Sequence, residues 1–267
     1  MNVFDNKFDV SYVDGMYILV CVRDSNATKI MIPSGIDKLN DFCFLQNYFV
    51  EEIYISDTVK EIGDSIFETC SNLKTIFVDK NNEYYEMRGN CLIEKKTNSV
   101  IKGFGDSVIP SNIVSIKDGA FFNCSALKHI DIPSSVKYIG ENAFSHCKEL
   151  ESITFNGDID FIGDCCFSRC ESLKDIKLPN NINKIGIQLF AFCSSLESID
   201  LSNITTIEKD GFFCCSSLKN VKFSNKLKKI SDNAFNACAA LKEIRISKDV
   251  IIGDNALEKD LHIIYED

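Results

Sequence analysis

The sequence predicts a repeat solenoid of the α/β kind, with short parallel strands on one face and short 3₁₀ or α turns on the other. Three observations carry this. Phe44, Phe67, Phe121, Phe144, Phe167, Phe190, Phe212 and Phe235 are spaced 23, 54, 23, 23, 23, 22 and 23 residues apart. Five further columns keep the same clock. All four prolines, Pro33, Pro110, Pro133 and Pro179, stand eleven residues before one of these Phe positions. A fixed period of this length marks units that bury their apolar side only by stacking.

Each column predicts an element. Nine and eleven residues after the Phe come paired apolar positions, such as Ile53 and Ile55 or Ile130 and Ile132, separated by one polar or aromatic residue. That alternation is a half-buried strand. Pro or a small polar residue ends it. Gly63, Gly140, Gly163 and Gly186, four before the Phe, suit a positive φ or a close backbone approach. The stretch x-x-Ala-Phe-x-x-Cys has helical spacing, so one turn of 3₁₀ or α-helix is expected there. Burial of each Phe is worth about 1.5–3 kcal/mol. A last copy, Ile252 to Leu257, has Leu in place of Phe, as a decaying terminal repeat would.

The run Leu127-Lys128-His129-Ile130-Asp131-Ile132-Pro133, Ile139-Gly140, Ala143-Phe144-Ser145-His146-Cys147 resembles the BspA-like class of leucine-rich repeats, over roughly residues 30–257. The resemblance implies a right-handed leucine-rich repeat superhelix. It also implies cell-surface proteins, adhesion and binding of host or matrix proteins. Two segments, around Tyr12–Ile30 and 79–109, are similar to each other and read as β-hairpin modules. The expected organisation is an N-terminal hairpin cap (1–32), a solenoid (33–257) with a hairpin insertion at 79–109, and a C-terminal end (258–267).

Bulk properties exclude several classes. The formal charge is −10, which repels phosphate backbones, so nucleic acid is not an expected partner. No run of 18 apolar residues predicts a membrane-spanning helix. The start of the chain, with Asp5, Asp9 and Asp14, does not read as a secretory signal. Seven of the thirteen cysteines sit three after a Phe (Cys70, Cys124, Cys147, Cys170, Cys193, Cys215, Cys238) and are expected as small buried residues of the core. Their parallel side-chain vectors argue against disulfides and for a reducing compartment. Cytoplasmic location is therefore the expectation, with cell surface or secretion as the alternative. Cys165 and Cys214 are the expected surface thiols.

No catalytic constellation emerges. There is no C-x-x-C pair for a structural zinc. Of the three histidines, His146 adjoins Cys147, but neighbouring residues in a repeat point different ways. No enzyme activity, metal or cofactor is expected, and the chain is expected to be monomeric. The function lies instead in outward rows on the sheet. Ten residues after the Phe the row reads Tyr54, Phe77, Asp131, Thr154, Lys177, Asp200, Lys222, Arg245, and His129 stands eight after its Phe. Tyr54, Phe77, His129, Asp131, Lys177, Lys222 and Arg245 are the candidate residues for binding a protein partner, unless the 79–109 hairpin covers the aromatic pair. Adhesion, a scaffold role, an intracellular regulatory adaptor and a glycan-binding surface remain the readings. The row seven after the Phe (Glu51, Lys74, Lys128, Glu151, Lys174, Glu197, Lys219, Lys242) alternates in sign from Lys128 to Lys219, as a register-keeping charge ladder would.

Overall fold

The structure is a computed structural model that describes residue 4 and residues 6–266. The outermost parts of the expected end segments, residues 1–3, 5 and 267, lie outside the described residues. The chain divides into two compact units, Met1–Phe104 and Gly105–Asp267. Both are stacks of parallel strands in the leucine-rich repeat manner.

In the first unit, strands Lys29–Met31, Glu52–Ile55 and Thr75–Val78 pair in parallel, one period apart, with Ile30, Ile53 and Ile76 in register. The apolar alternation decides the inward face: Ile53 and Ile55 are buried while Tyr54 points out. A second, two-residue ladder joins Lys38–Leu39 to Glu61–Ile62. The antiparallel hairpin Phe8–Val13 and Met16–Val22 extends it at the N-terminal side. The sequence assigned Lys29 and Ile30 to the hairpin module, but they form the first parallel strand.

The insertion folds as three antiparallel strands, Tyr85–Arg88, Cys91–Glu94 and Ser99–Gly103. Buried Asn82 anchors it. Its Nδ2 donates to the carbonyls of Ser56 (2.8 Å) and Val59 (3.0 Å), and its Oδ1 accepts the Tyr84 and Tyr85 amides at 2.8 Å. The buried Tyr85 hydroxyl accepts the Ile62 amide at 3.0 Å, beside the short ladder.

The second unit repeats both ladders. Strands His129–Ile132 and Ser152–Phe155 pair in register, as do Ser198–Asp200 with Asn220–Lys222 and Glu243–Ser247 with His262–Glu266. The last pairing turns the expected C-terminal end into a strand. Phe121, Phe144, Phe167, Phe190, Phe212 and Phe235 form one stack, with ring centroids 4.9–5.7 Å apart and planes within 14°. All six are fully buried. Phe44 and Phe67 stack likewise in the first unit, at 5.9 Å.

The expected 3₁₀ or α turns are not formed, and the α/β description gives way to strands joined by turns. Among the described residues there is no helix. In most coils the residues two before and two after the Phe adopt positive φ, for example Asn142 (54°) and His146 (63°), or Cys165 (57°) and Arg169 (59°). A left-handed residue interrupts a right-handed turn. The freed amides then bond between coils: Asn142 to the Asp164 carbonyl (3.0 Å), Phe144 to Cys166 (2.9 Å) and His146 to Ser168 (2.8 Å). The turn side thus carries a third inter-coil ladder.

The glycine column works by close approach. A Cβ on Gly140 would stand 2.1 Å from Asp118 Oδ1 and 2.5 Å from its amide nitrogen. That Oδ1 accepts the Glu141 amide of the next coil at 2.9 Å, and Asp41, Asp164 and Asp232 accept equivalent amides. Gly140→Ala is expected to destabilise the fold by about 1–3 kcal/mol through this overpacking, read as a lower urea midpoint.

The column cysteines are more than small hydrophobes. The thiols of Cys147, Cys170, Cys193, Cys215 and Cys238 donate to the carbonyls of Phe121, Phe144, Phe167, Phe190 and Phe212 at 3.0–3.3 Å. All thirteen cysteines are free. Cys165 and Cys214 are partly exposed, as are Cys21 and Cys124. Burial pushes the thiols of Cys193 and Cys238 up to about 12 and those of Cys170 and Cys215 well above the usual range. The unfolded chain therefore ionises these thiols near pH 9 while the folded chain keeps them neutral. Stability is full below pH 9 and falls as pH rises from 9 towards 12, by up to ~1.4 kcal/mol per pH unit for each such thiol. Urea midpoints at pH 7, 9 and 10 should fall in that order.

Candidate functional site

The outward face of the first unit's sheet carries an aromatic row. Met31, Tyr54 and Phe77 lie in register on successive strands. Met31 is 61% exposed and Phe77 43%. The rings of Tyr54 and Phe77 stack at 4.4 Å and 18°. The other face of the row is Lys29, whose Nζ lies 4.3 Å from the Tyr54 ring centroid, 3.2 Å from its hydroxyl and 3.4 Å from Glu52 Oε2. The Tyr54 hydroxyl donates to the same carboxylate at 3.0 Å. These contacts, the Tyr54 hydroxyl first and Glu52 next, hold the Lys29 ammonium above its ordinary pKa. The hairpin insertion does not cover Phe77. Sequence reasoning missed Met31 and Lys29 because the hairpin reading absorbed them. The signal was present, since Met31 stands one period, 23 residues, before Tyr54.

The other candidates lie in the second unit and behave differently. His129 Nδ1 bonds Ser152 Oγ at 2.8 Å across the strand pair, and Asp131 is exposed opposite Thr154. Both line a shallow groove of about 510 Å³ with Ser111 and Pro133. Lys177 is exposed but stands on no strand. The main-chain bonds of that coil reach the Lys174 carbonyl, which accepts the Glu197 amide at 3.0 Å, and the ladder lapses beyond it. Lys222 pairs with Asp200 at 3.0 Å, and Arg245 with Glu243 at 3.0 Å and Glu266 at 3.6 Å. They line a groove of about 700 Å³ in which these cations already have carboxylate partners. The Ser202 hydroxyl and amide, then Lys222, draw the Asp200 carboxyl down to about 2. The charge row pairs at Lys74–Glu51 (2.9 Å) and Lys219–Glu197 (3.7 Å).

His146 bonds a neighbouring hydroxyl rather than the neighbouring thiol. Its Nδ1 bonds Ser145 Oγ at 3.0 Å, while the Cys147 thiol is turned inward to the Phe121 carbonyl. Burial, then Arg169 and Lys148, lowers the His146 pKa. No helix among the described residues is long and apolar enough to cross a membrane.

Stacked parallel strands, an inward Phe column and an outward side-chain face define a leucine-rich repeat solenoid. The chain belongs to the BspA-type leucine-rich repeat family, whose model, a repeat region of six copies, matches residues 20–92, 93–212 and 150–264. Solved structures of the same fold include a leucine-rich repeat protein from Eubacterium ventriosum (TM-score 0.64, 23% identity, 87% of this chain). This chain spans 64% of that protein's length. Another is a leucine-rich repeat protein from Bacteroides ovatus (TM-score 0.57, 24% identity, 99% of this chain and 71% of that one). The pneumococcal vaccine antigen PcpA is a third (TM-score 0.58, 16% identity, 90% and 68%). Comparison with curated proteins finds no match.

Proposed function

We propose that the chain is a non-catalytic protein-binding module, and that Tyr54 and Phe77 anchor its partner. The observation that supports this is the outward Met31–Tyr54–Phe77 row, exposed at Met31 and Phe77 and half-buried at Tyr54, on an otherwise polar sheet face. A protein that leaves aromatic area in water at a fixed place gains by covering it, and aromatic anchors dominate interface energetics. Lys29 and Glu52 supply a polar rim of the kind that surrounds such anchors. The row does not suit a sugar platform. Tyr54 has one ring face against Phe77 and the other against Lys29.

Family membership supports adhesion over a scaffold or adaptor role, and with it a cell-surface or secreted setting. The thiol argument for the cytoplasm loses its force, because the column thiols hold main-chain carbonyls whatever the compartment. His129, Asp131, Lys177, Lys222 and Arg245 are assigned secondary roles in this reading, the last two because their charges are already compensated.

The test is capture of partners from native lysate or matrix extract by the wild-type chain and by a Tyr54→Ala, Phe77→Ala double variant. The expected result is at least ~10-fold less of one partner on the variant, equal to the loss of ~1.4 kcal/mol, with an unchanged thermal melt. Equal capture by a folded variant would remove the aromatic row from the reading.

A further inference from the structure

A second apolar surface sits on the turn side of the first coil, and the sheet-face reading makes no use of it. Phe42, Leu45, Tyr48 and Phe49 are 57%, 51%, 50% and 54% exposed within eight residues. In the other seven coils, the columns of Phe42, Tyr48 and Phe49 hold only small, polar or charged residues, such as Asn142, Lys148 and Glu149. Only the Leu45 column admits other large apolar residues, Phe122 and Phe213. The repeat therefore does not need these side chains. Phe42 is unfavourable twice, since it is exposed and held at φ 58°. A bulky residue in the left-handed region is strained. The Asn of other coils would relieve both.

The charges around the patch choose among occupants. Between Lys38 and Lys60 there is no Lys, Arg or His. Those two lysines are themselves paired, with Glu61 at 3.1 Å and Asp37 at 2.9 Å, and Arg23, which follows the Val22 whose amide bonds the Cys43 carbonyl, is paired with Asp9 at 3.2 Å. Asp41 adjoins the patch, and the neighbouring coil contributes Asp64 and Glu68. The adjacency is fixed by Asp64 donating its amide to Asp41 Oδ1 (3.0 Å) and Asn72 its side chain to the Tyr48 carbonyl (2.7 Å). A phosphate-bearing membrane surface would meet these acids unfavourably. A second copy would bring the same acids.

We infer that this patch docks a protein whose apolar recess is bordered by lysine or arginine. Its aromatic side chains fill the recess, and Asp41, Asp64 and Glu68 steer and orient the cationic border.

The experiment selects a random-peptide phage library on the full chain, with counter-selection on Phe42→Asn, Leu45→Ser, Tyr48→Ser, Phe49→Asn. These replacements are residue types found at surface columns of other coils, so the variant is expected to melt no lower than wild type. Enriched peptides should combine aromatic or aliphatic residues with Lys or Arg. They should bind the quadruple variant at least ~10-fold more weakly and lose affinity as salt rises. They should bind the Tyr54→Ala, Phe77→Ala variant as well as wild type, which separates this surface from the sheet face. The inference is overturned by peptides without a basic bias, by undiminished binding to the quadruple variant, or by no enrichment. It is equally overturned by a dimer in sedimentation that the quadruple variant abolishes, or by co-pelleting of the chain with phosphatidylcholine vesicles.

Discussion

Phe144→Ala is expected to lower the stability of the second unit by about 3–5 kcal/mol, read as a fall in the urea midpoint. The ring is fully buried between Phe121 at 4.9 Å and Phe167 at 5.7 Å. Removing it opens a void whose walls are two other rings, and neither can close it without leaving its own stack. The main chain at this position is also committed, since the Phe144 amide bonds Cys166 and its carbonyl accepts the Cys170 thiol. Backbone relaxation into the void would break both ladders. Phe144→Leu separates the two contributions. It keeps most of the volume, as Leu257 does in the terminal copy, and is expected to cost under about 1.5 kcal/mol. Equal losses for the two variants would mean that stacking geometry, rather than filled volume, holds the coil.

Asn82→Ala is the second large effect, about 3 kcal/mol, because it leaves the buried Val59 carbonyl, the half-buried Ser56 carbonyl and two amides without this partner. The side chain is 1% exposed and makes all four of its bonds to main chain. Asn82→Asp keeps the two acceptor contacts and loses the two donors, so its loss should exceed half of that for Ala once the buried charge is included. Hydrogen exchange should quicken first at the amides of Tyr84 and Tyr85. A variant as stable as wild type would show that water replaces the amide without penalty.

The strand ladders and the Phe stack were legible because burial imposes a residue type at each coil, and repetition averages away local exceptions. The turn side was not. Asn142 and Asn233 hint at left-handed backbone, but Cys165, Arg169 and Phe192 adopt it with no such hint. What places them there is the amide bond to the next coil, a contact between residues 22 or so apart that no local spacing records. Asn82 was hidden for a related reason, since it belongs to no column. At the candidate site, the outward direction of Tyr54 and Phe77 followed from alternation alone. Their stacking, and the place of Lys29 and Met31 beside them, depended on assigning the first strand correctly. The compensation of Lys222 and Arg245 required knowing which carboxylates lie across the sheet.

The inward thiol column also bears on how the chain is made. A growing polypeptide with thirteen cysteines can join them in many wrong pairs as long as they remain in water. For the buried thiols completion of the stack ends that danger, because it is the thiolate that attacks peroxide and disulfide reagents and the column holds almost none. The buried thiols of the finished molecule therefore tolerate oxidants that the nascent chain does not, leaving the partly exposed Cys21, Cys124, Cys165 and Cys214 as the reactive ones, and refolding from denaturant should succeed with reductant present and yield mispaired material in air.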